Sequence, residues 1–511
     1  MITPEDLDLP QHFSEWRPHQ IEVASKAAST SKYALLVDAP TGAGKSLIGA
    51  AAQRIFDHNA LYVVTTKQLQ DQLLRDFPYA RTVMGRTNYR CARFPSAFPG
   101  ISAETCTHSK ANPCSVVDKC EYIAAKRKAL SAPLAILNTA YYLNEINFVG
   151  AFSESKFVIL DEVDMLDNQL MSFVELLVTK RMLDSLNLPS PKYKTKFEAW
   201  VDWARIALKT TVNELKEVEK QVQNPWQVED FGLMKKRKTL SNFVAKLTFF
   251  VKNVDDTWVW YPEENKWTFK PVWVSKYASM NLWRHVEKVL GMSATILDAR
   301  QVASNTGLKE KFDYVQLPSL FPAENRPILY EPIAHVVNRN IENALPLITS
   351  RIRGIVDEYP NSKILIHTVS YKIRQYVMSN IQNKRLVTHD ITNRTKVLNS
   401  FKESKEPLVL VSPSMERGVD LPQDECRVII VAKMPYPSLG DPQVKKRVYG
   451  GKDGNNWFAH KTISSLVQST GRGVRSKDDF AETYILDQQF ENLYTEYKNI
   501  FPGWWREALI T

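Results

Sequence analysis

Residues 33–56 read YALLVDAPTGAGKSLIGAAAQRIF, an apolar run, a turn with two glycines, and a stretch whose apolar residues recur at helical spacing. That order specifies a buried strand, a phosphate-binding loop and a helix. In the segment Thr41, Gly42, Ala43, Gly44, the two glycines let the backbone wrap a phosphate closely. Lys45 is spaced to reach the β and γ phosphates of a nucleotide, and the Ser46 hydroxyl to ligate magnesium where the helix begins. The first glycine of the usual G-x-x-x-x-G-K-S pattern is Ala39 here; the strand before and the helix after still supply the context the motif requires. Working outward, the same grammar recurs in LYVVTT (61–66) with KQLQDQLLRDF (67–77), in APLAILN (132–138), in FVILDE (157–162) and in VEKVLGMSAT (286–295). Buried strands alternating with helices imply a parallel sheet covered on both faces.

The text changes between Asp164 and about Leu282 to long, polar, helix-like sequence containing Trp200, Trp203 and Trp226, closed by an aromatic stretch over residues 258–273. Because the β/α grammar resumes at once beyond it, this reads as an inserted domain. A second series follows in KILIHT (363–368), RLVTH (385–389), PLVLVS (407–412), CRVIIVA (426–432) and TYILD (483–487). The fold class is therefore α/β, with two tandem sheets of similar size. The second carries QSTGRGVR (468–475), whose Arg472 and Arg475 offer guanidinium groups able to neutralise charge on a transferring phosphoryl group. Asp161, at the carboxyl end of an apolar strand, is placed to hold magnesium through water, and adjacent Glu162 to polarise an attacking water.

At 511 residues the chain exceeds what one hydrophobic core supports. A net charge of +10 favours a polyanionic partner. The opening MITPEDLDLPQHF lacks a basic and apolar leader, and no apolar run approaches bilayer length, so a soluble cytoplasmic protein with no membrane contact is expected. Four of five cysteines cluster at Cys91, Cys106, Cys114 and Cys120, against a disulfide framework and for a local ligand site. Their spacing alone leaves zinc, an iron-sulfur cluster and unligated thiols open. Cys426, before an apolar strand, reads as a core thiol, and Trp504 and Trp505 as packed side chains. The run from Lys235 to Lys238 reads first as a solvated helical face, with a nucleic-acid channel as the alternative.

RPHQ (17–20), the glycine-rich loop, TTKQLQDQ (65–72), GRTNYRC (85–91), DEVD (161–164), MSAT (292–295), ERGVDLP (416–422) and QSTGRGVR, in this order, resemble the DinG/XPD group of superfamily 2 DNA helicases. The resemblance implies two RecA-like domains, over 1–310 and 311–511, with an iron-sulfur insert at 79–130 and an arch-like insert at 166–282. It implies ATP-dependent, magnesium-requiring 5′ to 3′ movement of a monomer on single-stranded DNA, with unwinding of tailed or forked duplexes. An RNA or RNA–DNA hybrid helicase, or an ATP-switched clamp, are the rival readings. By motif match, Gln20 contacts adenine, Gln468 belongs to the nucleotide site, Ser293 and Thr295 couple hydrolysis to movement, and Gly418 and Asp420 lie where nucleotide and domains meet. The four clustered cysteines become 4Fe-4S ligands, supported by the Cys120, Tyr122, Ala124 element. Asp164 stands where the family has a histidine. A strand of any sequence needs backbone contacts and occasional aromatic faces; Thr65, Thr66, Lys67, Arg86, Tyr89 and Arg90 are the candidates in the first domain, and His367, Thr368 and Ser370 in the second.

Overall fold

In the computed structural model, which describes residues 2–94, 100–106, 108, 113–153, 155–222, 231–414, 421, 423–451, 453–474 and 476–511, the strand Ala34–Asp38 is buried along its whole length. Its Ala34 and Leu36 enter one apolar cluster while Leu35 and Val37 enter another on the opposite face. This two-sided burial is why the strand is continuously apolar rather than alternating. Seven strands form the first sheet, all parallel, in the order Phe312–Gln316, Ala34–Asp38, Val289–Ser293, Phe157–Asp161, Ala60–Val64, Leu134–Asn138, Arg81–Thr82. The register sets Asp38 beside Ser293 and Met292 beside Asp161. Three motifs far apart in sequence thus leave the sheet at one carboxyl edge, where open parallel sheets collect ligands.

The second sheet is also seven-stranded and parallel, ordered Leu386–Thr388, Val409–Ser412, Ile364–His367, Val428–Val431, Glu482–Asp487, Ile328–Ala334, Leu509–Ile510. Ile364 and Ile366 pack into the cluster on one face, Leu365 into that on the other. The expected pair of RecA-like parallel sheets is therefore present. Phe312–Gln316 pairs with Ala34–Asp38, so the first sheet extends past residue 310 and the second begins at Ile328; strand pairing, which no local pattern reports, moves that boundary.

Between residues 166 and 282 the chain builds two long helices, Phe197–Gln221 and Phe231–Asn253, and a three-stranded antiparallel sheet of Leu176–Thr179, Lys266–Pro271 and Trp258–Glu263. Trp200, Trp203, Phe243, Trp267 and Phe269 are buried in one core continuous with that of the first sheet. The insert is thus partly β, and its aromatic stretch forms the hairpin that closes it. Cys426 and Trp505 are fully buried, and Trp504 lies beneath the Arg326 guanidinium. Among the described residues no helix is long and apolar enough to cross a membrane.

Candidate functional site

Gly42 and Gly44 both take left-handed backbone angles, φ +84° and +77°, which side chains beyond hydrogen strain to adopt. The second glycine has a further reason: a β-carbon there would lie 2.1 Å from Gln20 Nε2. Gln20 is buried; its Nε2 donates to the Ala43 carbonyl (2.9 Å) and its Oε1 accepts from the Arg17 amide (2.9 Å). The Arg17 guanidinium bonds to the Gly42 carbonyl. RPHQ therefore grips the outer face of the phosphate loop, and the Gln20 amide, matched to adenine by motif, is engaged with that loop. Helix Lys45–Phe56 starts at Gly44, so its free amides face the loop's concavity. Lys45 Nζ lies 3.5 Å from the Ala39 carbonyl, and the Ala39 amide donates to Ser293 O (2.8 Å).

Asp161 ends its strand in a buried position, where desolvation raises its carboxyl pKa, the Lys45 charge opposes the rise, and Asp164 adds to it. Its Oδ1 accepts the Glu162 amide (3.0 Å). Glu162 has φ +51°, a left-handed angle that costs a non-glycine residue on the order of 1 kcal/mol or more. The chain turns sharply there and brings two acidic side chains, Glu162 and Asp164, onto the MSAT segment. Ser293 Oγ lies 3.1 Å from Glu162 Oε2 and 2.7 Å from Asp164 Oδ1; Thr295 Oγ1 donates to Asp164 Oδ2 (3.0 Å). Gln468 Nε2, from the second lobe, donates to Thr295 Oγ1 (2.8 Å). One hydrogen-bonded chain thus runs from QSTGRGVR to Glu162. Donor set and burial suit magnesium at Ser46 and Asp161, beside the loop.

Sequence reading missed Asp38, the residue before the loop. It is buried, its Oδ2 accepts the Leu297 amide (3.0 Å) and the Tyr314 hydroxyl (3.3 Å), and its Oδ1 has no partner among the described residues. Burial pushes its pKa up to about 6 against those hydrogen bonds, with the Asp164 charge adding to the rise. Arg472 is buried in the second lobe, close enough to His367 that its charge reinforces the burial holding that imidazole down at about 3. Gly418, Asp420 and Arg475 lie outside the described residues.

Cys91, Cys106, Cys114 and Cys120 are free thiols lining one small cavity, together with Ala92, Ala103, Val116, Val117, Ile123 and His108. Cys120 immediately precedes the helix Glu121–Ser131, whose Lys126 pairs with the buried Glu145 of the first lobe (2.6 Å). Four convergent thiols in an apolar surround are a donor set that suits an iron-sulfur cluster; among the described residues no three His, Cys, Asp or Glu side chains are arranged to hold a single metal ion.

Residues 17–197 match the DEAD/DEAH box helicase family and residues 352–508 the helicase C-terminal domain. The chain is 21% identical to a probable ATP-dependent helicase of Methanocaldococcus jannaschii, over 90% of this chain and 89% of the relative. It is 20% identical to the ATP-dependent DNA helicase YoaA of Haemophilus influenzae, over 94% and 92%. An XPD helicase structure superposes with a TM-score of 0.65 at 15% identity, covering 97% of this chain and 99% of that one; Xpd4 of S. tokodaii gives 0.61 at 16%, over 97% and 100%. The chain thus carries the DEAD/DEAH box helicase domain and the helicase C-terminal domain in the fold of the XPD structures, in line with the DinG/XPD-like group that its motifs resemble.

Against that family plan, Thr66 and Lys67 are exposed at a strand end and Thr65 is half-buried beside them. Thr66 caps the following helix through Leu69 N (3.2 Å), and Lys67 Nζ donates to Asn88 of the cysteine-bearing segment (3.0 Å). Arg86 and Tyr89 are occupied internally: Arg86 donates to the Cys106 carbonyl (3.1 Å) and lies over the Tyr122 ring, and the Tyr89 hydroxyl accepts the Met84 amide (3.0 Å). Thr368 is a correction. It is fully buried, with its hydroxyl donated to Ser370 O (3.2 Å), so it offers a passing strand no surface; the half-exposed Ser370 and exposed Tyr371 do. In the basic run, Lys236 pairs with Glu214 (2.5 Å) and Arg237 with Glu219 (3.7 Å), while burial and then the Arg86 charge lower the pKa of Lys238.

Proposed function

We propose that this protein is a monomeric, cytoplasmic ATP-dependent DNA helicase that moves 5′ to 3′ on single-stranded DNA and opens tailed or forked duplexes. The observation that carries the reading is the connected set of hydrogen bonds from Gln468 through Thr295, Asp164 and Ser293 to Glu162, because it links the second lobe, by way of three side chains, to the carboxylate that would orient water. Its relatives named as ATP-dependent helicases, one of them a DNA helicase, support the substrate class.

In this mechanism the loop amides and Lys45 bind the phosphates of ATP, and Glu162 accepts a proton from the attacking water. Ser46 and Asp161 would hold magnesium, which would supply positive charge against the phosphate oxygens. Arg472 and Arg475 approach from the second lobe on closure, an arrangement that elsewhere contributes about 10³-fold or more in rate. Ser293 and Thr295 report the state of Glu162 and Asp164 to Gln468, so bond cleavage shifts one lobe against the other. Gly418 and Asp420 complete the interlobe face. The four cysteines would hold a 4Fe-4S cluster, which would stiffen their segment, and Thr65, Thr66 and Lys67 grip the strand.

The test is unwinding of duplexes carrying either a 5′ or a 3′ single-stranded tail, with ATPase stimulation by DNA and RNA measured in parallel. We expect 5′-tailed duplexes to open and Lys45→Ala to abolish hydrolysis while retaining DNA binding. Opening of only 3′-tailed duplexes refutes the polarity, stimulation by RNA alone refutes the substrate, and turnover without strand displacement identifies a clamp.

A further inference from the structure

Phe321 lies in the segment joining the lobes, after strand Phe312–Gln316 of the first sheet and before Ile328–Ala334 of the second. Its ring rests on the phosphate loop: a β-carbon at Gly42 would lie 2.2 Å from the ring Cζ and 2.7 Å from Cε2. On its other side the ring packs with Leu320, Val474 and Ala481, and Val474 belongs to QSTGRGVR. The side chain is 8% exposed. The backbone is anchored to the second lobe. The Phe321 carbonyl accepts from Arg326 Nε (3.2 Å), whose guanidinium also bonds to the Trp504 carbonyl, while within the joining segment Phe321 N donates to Ser319 Oγ (3.1 Å). A flat, rigid ring carried by one lobe therefore bears on the phosphate-binding backbone of the other, at a glycine whose carbonyl Arg17 holds.

We propose that Phe321 is a positioning residue for ATP binding and hydrolysis, a strut that sets the Gly42 backbone and spaces it from the Val474 segment. The inference rests on the ATPase reading above and adds a residue outside every motif. The loop binds phosphate only if its amides converge, and misplacement by about an ångström can cost roughly tenfold or more. Loss of the ring should therefore weaken nucleotide binding, and because the strut is mounted on the second lobe, it should also reduce the stimulation of hydrolysis by a bound strand.

The experiment compares wild type with Phe321→Ala, Phe321→Leu and Phe321→Tyr, measuring KM and kcat for ATP with and without single-stranded DNA, and binding of a fluorescent ADP. We expect Phe321→Ala to raise KM and the ADP Kd roughly tenfold, to lower kcat less, and to shrink the stimulation by DNA. Phe321→Leu, which keeps apolar volume without the flat face, should shift in the same direction, and Phe321→Tyr, whose hydroxyl would project from Cζ onto the Gly42 backbone, should weaken nucleotide binding as well. Unchanged KM, ADP binding and stimulation in the alanine and leucine variants would overturn the proposal, as would tighter nucleotide binding, which would make the ring an obstruction. Wild-type protein without ATPase activity would sink the functional reading instead, and ADP binding would still decide the role of the ring.

Discussion

Asp164 occupies the position where the family has a histidine, and its surroundings explain why a carboxylate works there. Two hydroxyls point at it, Ser293 at 2.7 Å and Thr295 at 3.0 Å. A carboxylate accepts both at once, whereas a neutral imidazole has one acceptor nitrogen. Asp164→Ala should leave the Thr295 hydroxyl short of an acceptor, turn the Ser293 hydroxyl onto Glu162 alone and loosen the bond from Gln468. The expected outcome is a fall in unwinding of about tenfold beyond any fall in ATPase, with Asp164→Asn intermediate; helicase and ATPase rates on one preparation check it. Asp38 carries a different prediction. Its folded-state pKa of about 6 exceeds the ordinary carboxylate value of 3.8, so the folded state holds the proton more tightly. Stability from that proton is fully present below about pH 4 and is lost as pH rises through 6, a span of about 3 kcal/mol. Asp38→Asn should therefore gain stability relative to wild type between pH 4.5 and 7, measured by chemical denaturation at both.

At the scale of elements, the cysteine-bearing segment and the two long helices differ in what holds them. The helices Phe197–Gln221 and Phe231–Asn253 bury Trp200, Trp203, Leu240, Phe243, Leu247 and Phe250, and apolar burial at about 25 cal/mol per Å² outweighs their half-exposed ion pairs, each worth at most about 1 kcal/mol. The cysteine segment is secured to the first lobe by the Lys126–Glu145 pair and the Tyr122 hydroxyl on Glu145 (3.2 Å). Its four cysteines line a cavity walled by Ala92, Ala103, Val116, Val117 and Ile123, with Arg93 and His108. On the cluster reading, Cys114→Ser should lose iron, visible absorption and unwinding while retaining part of the ATPase, because the catalytic carboxylates lie elsewhere. Iron analysis and absorption of anaerobically purified protein check this, and zinc without iron would refute it.

Across the whole molecule, the base of the arch-like insert is bound to the second lobe. Asp167, buried, pairs with Lys461 (3.2 Å) and Arg447 (4.0 Å). Arg447 lies between the rings of Trp273 and Trp457, at 4.7 and 4.9 Å, and donates to the Val272 carbonyl (2.7 Å). Gln443 donates to the Pro271 carbonyl (2.7 Å), and the Tyr261 hydroxyl donates to Asp441 (2.6 Å), which also caps helix Pro442–Tyr449. A lobe movement that opens the cleft must carry the insert with it or break this contact. Asp167→Ala leaves two cations without their buried partner and should destabilise the protein by about 3 kcal/mol, read as an earlier midpoint in denaturant.

Much of this was legible in the chain. The alternation of apolar runs and helical text reports both parallel sheets, because strands buried on two faces are apolar throughout, and the glycine-rich loop declares its chemistry because close approach to phosphate requires residues of one kind at one spacing. Phe321, Asp38 and Asp167 carry no such signal. Each acts through a partner that is distant in sequence, Gly42 for the first, Leu297 for the second and Lys461 for the third. Thr368 shows the converse, a residue that matched a pattern and is buried just past its strand, where its amide donates to Ser412 O (2.9 Å). Local composition determined which segments become strands, helices and phosphate loop, since those depend on neighbours along the backbone; only tertiary packing decided which side chains meet across the cleft, because burial and hydrogen bonding between remote residues exist only once the sheets have formed.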